Sequence, residues 1–170
     1  MTRSEEKREA FVEAVVAHLV SEGLADTGLR SLARVCGTSD RMLIYHFGSK
    51  DALLEQAFGA IVAGLTAQLD ALLGPRRRAP ARLLEDLLAA VDRGPFLPVV
   101  RLWFELVGRA VTGEEPYRAS ARALGERWLA WIEAHLPRDR ADRAPELFAT
   151  LEGTLMLRLL DLPEPERPHA

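Results

Sequence analysis

The stretch Leu29 to Leu54, LRSLARVCGTSDRMLIYHFGSKDALL, constrains the fold more than any other part of the chain. Leu29, Leu32, Ala33 and Cys36 recur at i, i+3, i+4 and i+7, a helical period that lasts about two turns before Gly37. Glycine reaches the left-handed conformation without steric cost, so Gly37 is placed to end that helix and Ser39 to cap another. The second helix is expected to carry Leu43, Ile44 and Phe47 inward, leaving Asp40, Arg41, Met42, Tyr45 and His46 in outward or flanking positions. Two short helices crossing at a three- or four-residue glycine turn make a helix-turn-helix.

Helical spacing continues on both sides. Upstream, Thr2 and Glu5 form a candidate capping box with Ser4 as a competing cap, and Phe11, Val12, Val15, Val16, Leu19 and Val20 give one broad apolar face before Gly23. Downstream, Gly48 and Ser49 start a helix with Leu54, Phe58, Ile61, Leu65, Leu69 and Leu72 on its apolar positions. It is about 24 residues, or roughly 36 Å, long, enough to leave one domain and enter the next. Further helices are expected from Pro80 to Gly94, from Val99 to Val111, from Tyr117 to Leu136 and from about Pro145 to Leu162. Phe96-Leu97-Pro98 reads as a connector. No segment reads as strand. The fold class is therefore all-α: a three-helix domain containing the helix-turn-helix at residues 1–50, a helical bundle at 51–162, and a polar, proline-rich tail at 163–170.

The motif gives the first chemistry. A helix fits the major groove, and side chains on its first turns reach base edges. Arg41 can grip guanine O6 and N7 together, while Met42 and the ring of Tyr45 can pack on thymine methyls. Asp40 can accept from a cytosine amino group or simply cap the helix. Ser39 lies beside the groove as the cap. Arg30 and Arg34 on the preceding helix and Lys50 on the following one are placed to neutralise phosphates, which anchors without specifying. His46 reads as a phosphate-side or structural histidine.

Charge supports this only locally. The chain of 170 residues has a net charge of −3, and residues 1–55 hold seven Lys/Arg against nine Asp/Glu. Between Thr27 and Lys50 the sign reverses, with Arg30, Arg34, Arg41 and Lys50 against Asp40 alone. A local cluster is what phosphate contact requires.

Other classes find little support. The start Met1-Thr2-Arg3-Ser4-Glu5-Glu6 lacks the apolar core of a signal peptide, and no run approaches the ~18 consecutive apolar residues of a membrane span, so a cytoplasmic location is expected. The lone Cys36 rules out an internal disulfide and a cysteine metal cluster. His18, His46, His135 and His169 are scattered without a metal-ligand spacing. No dinucleotide, P-loop or nucleophile-elbow motif is present. No enzyme activity, metal or cofactor is expected.

Behind the motif, Val99 to Val111 is apolar on nearly every face, as a helix central to its domain would be. Its charges Arg101, Glu105 and Arg109, spaced four apart, either pair along an exposed edge or place Arg101 and Glu105 in a ligand cavity beside Trp103 and Phe104. Trp128, on the following helix, is a further candidate for contact with a small molecule. Arg76-Arg77-Arg78 is a solvated loop or a second DNA contact.

The motif as a whole resembles the DNA-binding region of the tetracycline-repressor (TetR) family. That family's pattern runs from a leucine-alanine pair through A-G-V-S to L-Y-x-H-F and a lysine-bearing helix start. Leu32-Ala33, Cys36-Gly37-Thr38-Ser39, Leu43-Ile44-Tyr45-His46-Phe47 and Ser49-Lys50 occupy those places without a gap, within about residues 8 to 58. The family's tyrosine falls at Ile44, with the aromatic one position later at Tyr45, and Gly28 stands where a capping threonine is usual. The resemblance implies a transcriptional regulator, a repressor that binds a palindromic operator in double-stranded DNA. It also implies a homodimer built through residues 117–162 and released from DNA by a small-molecule effector. The rival reading is a helical, dimeric interaction module that keeps the fold without specific operator binding.

Overall fold

A computed structural model describes residues 2–164. His169 and most of the expected tail lie outside the described residues. Those described form eight α-helices and one 3₁₀ segment, with no strand among them: α1 (Arg3–Glu22), α2 (Leu29–Val35), α3 (Asp40–Phe47), α4 (Lys50–Leu73), α5 (Pro80–Arg93), α6 (Leu97–Val111), α7 (Glu115–His135), the 3₁₀ segment Arg138–Arg143, and α8 (Ala144–Leu159). The expected connector at Leu97-Pro98 is instead the first turn of α6. Proline is at home there, because the missing amide has no intrahelical partner at a helix start.

Local chemistry explains the boundaries. Thr2 Oγ1 accepts from the Glu5 amide at 3.3 Å while Glu5 Oε2 accepts from the Thr2 amide at 2.6 Å, a reciprocal capping box that starts α1. Gly37, at φ 61°, ends α2. Its amide donates to the Arg34 carbonyl at 3.1 Å and the Thr38 amide donates to the Ala33 carbonyl at 2.9 Å, the paired bonds of a Schellman terminus. Ser39 Oγ then accepts from the Met42 amide at 3.3 Å, and Ser49 Oγ from the Ala52 amide at 3.1 Å, capping α3 and α4.

The described residues pack as two compact units, a division by packing rather than by role: 2–65 with 98–124, and 66–97 with 125–164. The first has a core of Val15 and Leu19 from α1, Leu32 from α2, and Leu43 and Phe47 from α3. Leu53, Leu54, Ala57 and Phe58 from α4 and Leu102 and Leu106 from α6 complete it. The expected apolar face of α1 is buried or half-buried along its length. In the second unit α5 packs on α8, with Leu83, Leu87 and Leu88 buried in one and Leu147, Leu151 and Leu155 in the other. By length and mean hydropathy alone α4 could cross a membrane; Leu53, Leu54, Ala57, Phe58, Ile61 and Leu69 on it are buried in protein.

The arginine tripeptide beyond α4 has a structural role in the second unit. Arg78 pairs with Asp86 at 2.9 Å and donates to the carbonyls of Leu73 and, at 2.6 Å, of Arg76. Its own amide donates to the His135 carbonyl at 2.9 Å, and Arg77 Nη1 donates to the Leu136 carbonyl at 2.5 Å. Two arginines thus satisfy carbonyls at the C-terminal ends of α4 and α7, where the helix dipoles also favour positive charge.

A candidate nucleic-acid interface

α3 is eight residues long and shows three kinds of side chain. Leu43 and Phe47, four apart, face the core. Met42 and His46, also four apart, are half-buried flanks. Arg41, Ile44 and Tyr45 form the exposed stripe, with Tyr45 76% and Ile44 39% accessible. The inward assignment of Ile44 is therefore corrected. At 100° per residue, a helix this short offers the core room for Leu43 and Phe47, and Ile44 turns away from both. Gly37 and the Ser39 cap fix where α3 begins, and so which residues fall on that stripe.

The other motif residues fall around it. Asp40 is half-buried in the first turn, where a negative charge suits the helix dipole, and the capping bond itself comes from Ser39. The His46 ring meets the edges of Phe11 at 5.5 Å and Tyr45 at 5.1 Å, and its buried Nε2 has no hydrogen-bond partner among the described residues. It thus bridges core and stripe. Arg30 and Arg34 lie one turn apart on α2, both exposed, with Arg34 Nη2 at 3.4 Å from Ser31 Oγ. Lys50 opens α4 and pairs with Asp51 at 3.4 Å. Exposed pairs of this kind are worth only ~0–1 kcal/mol, so Asp51 holds the ammonium loosely. Arg8, which sequence reasoning passed over, donates to Gln56 Oε1 at 3.1 Å and covers the Phe47 ring at 5.2 Å, clipping α1 to α4. Cys36 is half-buried beside the turn, and burial pushes its thiol pKa up.

The residues considered for a small molecule are distributed differently. Arg101 is exposed; Trp103 and Phe104 are half-buried, with Trp103 against the first unit's core. The Glu105 carboxylate accepts from the Leu24 amide at 2.9 Å and lies 3.8 Å from Arg109. Of the charges spaced four apart, Glu105 and Arg109 do pair, and both also reach a loop that spacing alone did not reveal. Trp128 belongs to the second unit, where it stacks face to face on Trp131 at 5.0 Å. Trp131 in turn stacks on His135 at 3.9 Å and donates to Asp70 at 2.8 Å.

An exposed stripe on a short capped helix, packed against a second helix that carries arginines, is the arrangement of a helix-turn-helix. Residues 12–57 match the model of bacterial regulatory proteins of the tetR family. The HTH-type transcriptional regulator BetI of Burkholderia mallei is 28% identical over 157 residues, which cover 89% of this chain and 80% of that protein. A Rhodococcus sp. crystal structure assigned to the TetR family superposes with a TM-score of 0.72 at 25% identity, covering 92% of this chain and 89% of its own. The multidrug binding protein EbrR, solved with imidazole, shares the fold with a TM-score of 0.68 at 22% identity, covering 97% of this chain and 87% of its own. Residues 12–57 thus carry the region matched by the tetR-family model, and the chain shares its all-helical fold with a TetR-family structure.

Proposed function

We propose that the protein is a homodimeric repressor that reads a palindromic operator through Arg41, Met42 and Tyr45 and is anchored to phosphate by Arg30, Arg34 and Lys50. Ser39, Asp40 and His46 complete this surface, and residues 1–50 act as the reading domain. The observation that carries the reading is the exposed stripe of Arg41 and Tyr45 on α3, one turn apart on a helix fixed at both ends. It supports base contact because an exposed arginine in the first turn and an exposed aromatic in the second suit a guanine edge and a thymine methyl. One such helix makes few contacts, whereas two about 34 Å apart read both halves of a palindrome on one face of DNA.

Residues 51–162 serve dimerisation, through 117–162, and binding of a small-molecule effector, with Arg101, Trp103, Phe104, Glu105 and Trp128 as the residues to examine. The effector prefers the arrangement that cannot hold DNA, so DNA in turn weakens the effector. Such a regulator acts in the cytoplasm, where the chromosome is. Selection of bound duplexes from random DNA tests the reading. An enriched inverted repeat is the expected outcome. Binding that is undetectable or indifferent to salt and sequence would leave the helical interaction module in its place.

A further inference from the structure

The loop between α1 and α2 is held by side chains from far along the chain, all within the first compact unit. Glu105 Oε2 accepts from the Leu24 amide at 2.9 Å, and Arg109, one turn further along α6, donates through Nη2 to the Leu24 carbonyl at 3.3 Å. The Arg109 guanidinium also lies 3.7 Å from Glu114 and 5.1 Å over the Tyr117 ring. Three residues beyond Leu24, Thr27 Oγ1 meets the Tyr117 hydroxyl at 3.1 Å in a buried contact. Gly23 makes room for this arrangement: its φ is +73°, and a Cβ there would stand 2.4 Å from Glu105 Oε2. The loop's other end is tied to α2 by Ser31 Oγ donating to Asp26 Oδ2 at 2.5 Å.

Apolar burial already holds these helices together, through Val15 and Leu19 on α1 and Leu102 and Leu106 on α6. That attraction is non-directional and tolerates small rocking of one helix on another. Hydrogen bonds do not: they weaken steeply off line. A carboxylate and a guanidinium gripping the amide and the carbonyl of one residue therefore set an angle more than they add cohesion.

We propose that Glu105, Arg109 and Tyr117 are positioning residues for DNA recognition, fixing the orientation of the helix-turn-helix and hence the half-site spacing that a dimer accepts. This rests on the dimeric regulator reading above. The test compares wild type, Glu105→Ala, Glu105→Gln and Tyr117→Phe. Each is titrated with the selected half-site alone, with the selected inverted repeat, and with that repeat lengthened by two base pairs. Amide exchange over Gly23 to Gly28 is followed in the absence of DNA. Glu105→Gln keeps an acceptor for the Leu24 amide and should retain much of the wild-type behaviour.

Glu105→Ala should lose exchange protection at Leu24 and lose discrimination between the two spacings by about tenfold, the scale of one charge-assisted hydrogen bond, with half-site affinity preserved. Tyr117→Phe should do the same more weakly, because Thr27 Oγ1 still reaches the Leu24 carbonyl. Unchanged spacing discrimination in Glu105→Ala, or an equal loss on all three duplexes, overturns the proposal. Wild type that binds no duplex overturns the regulator reading itself, a result told apart by the exchange data, which report the clamp without DNA.

Discussion

Arg41, Ile44 and Tyr45 share the exposed side of α3, while Arg30, Arg34 and Lys50 sit on the neighbouring helices, and the two sets should fail differently. Arg41→Ala is expected to cost about 1–3 kcal/mol on the selected operator and to relax preference at one base pair. Lys50→Ala should weaken all duplexes alike and reduce the salt slope by about 1. Titrations at several salt concentrations against selected and scrambled duplexes would separate the two; identical behaviour would merge the roles. Cys36 gives a second expectation. The thiolate is the reactive form, and burial disfavours it, so alkylation near neutral pH should be slow in the folded protein and rapid once it unfolds. Because the folded thiol pKa exceeds the unfolded one, this group's contribution is intact below the ordinary thiol range and is lost as pH rises through the folded value. At this scale the sequence was legible where side chains repeat. Leu43 and Phe47 announced the core by their spacing, whereas Ile44, equally apolar, was assigned to the wrong side because a two-turn helix leaves the core only a narrow stripe. The grip of Glu105 and Arg109 on Leu24 was not legible at all. Every residue offers the same backbone amide and carbonyl, so a backbone partner leaves no mark in the sequence.

Helix ends were the most readable elements. The Thr2–Glu5 capping box, the Gly37 terminus and the Ser39 cap all appear where their residue types placed them, because each is a local motif complete within a few residues. The C-terminal ends of α4 and α7 were less so. Their carbonyls are satisfied by Arg77 and Arg78, which lie close to one helix end in sequence and distant from the other, and which read equally well as a solvated loop. Arg78→Ala should accordingly destabilise the protein well beyond a surface change. It removes a guanidinium whose pair with Asp86 is largely buried, with side chains 16% and 17% exposed, and leaves the carboxylate without that partner. Asp86 keeps Arg82 as a partner at 3.1 Å, so the expected cost is about 1–3 kcal/mol, the scale of lost hydrogen bonds and not of a stranded buried charge. Urea unfolding of Arg78→Ala beside Arg76→Ala measures the difference, and equal midpoints would mean that the Arg78 bonds contribute little.

For the whole molecule, the proposed dimer is the reading most open to test. Met156 and Leu160, at the end of α8, are exposed at 45% and 59%, on the helix proposed to meet its counterpart. Met156→Glu combined with Leu160→Glu should leave the folded chain monomeric in sedimentation and abolish preference for an inverted repeat over a single half-site. A dimer that survives would place the interface elsewhere. The all-helical architecture was legible because amphipathic spacing recurs along almost the whole chain. The two packing units were not, since Pro98–Leu124 joins the first of them through contacts distant in sequence. The open position of Ile44 and Tyr45 bears on how such a regulator acquires new targets. Exposed side chains contribute little to folding, so replacements there typically shift stability by no more than about 0.5 kcal/mol. A library randomised at these two positions should therefore yield mostly folded proteins with altered operator choice, and widespread misfolding would show that the stripe is bound up with the core. On the proposed reading, replacements on this stripe change the DNA sequence bound while the scaffold stays fixed.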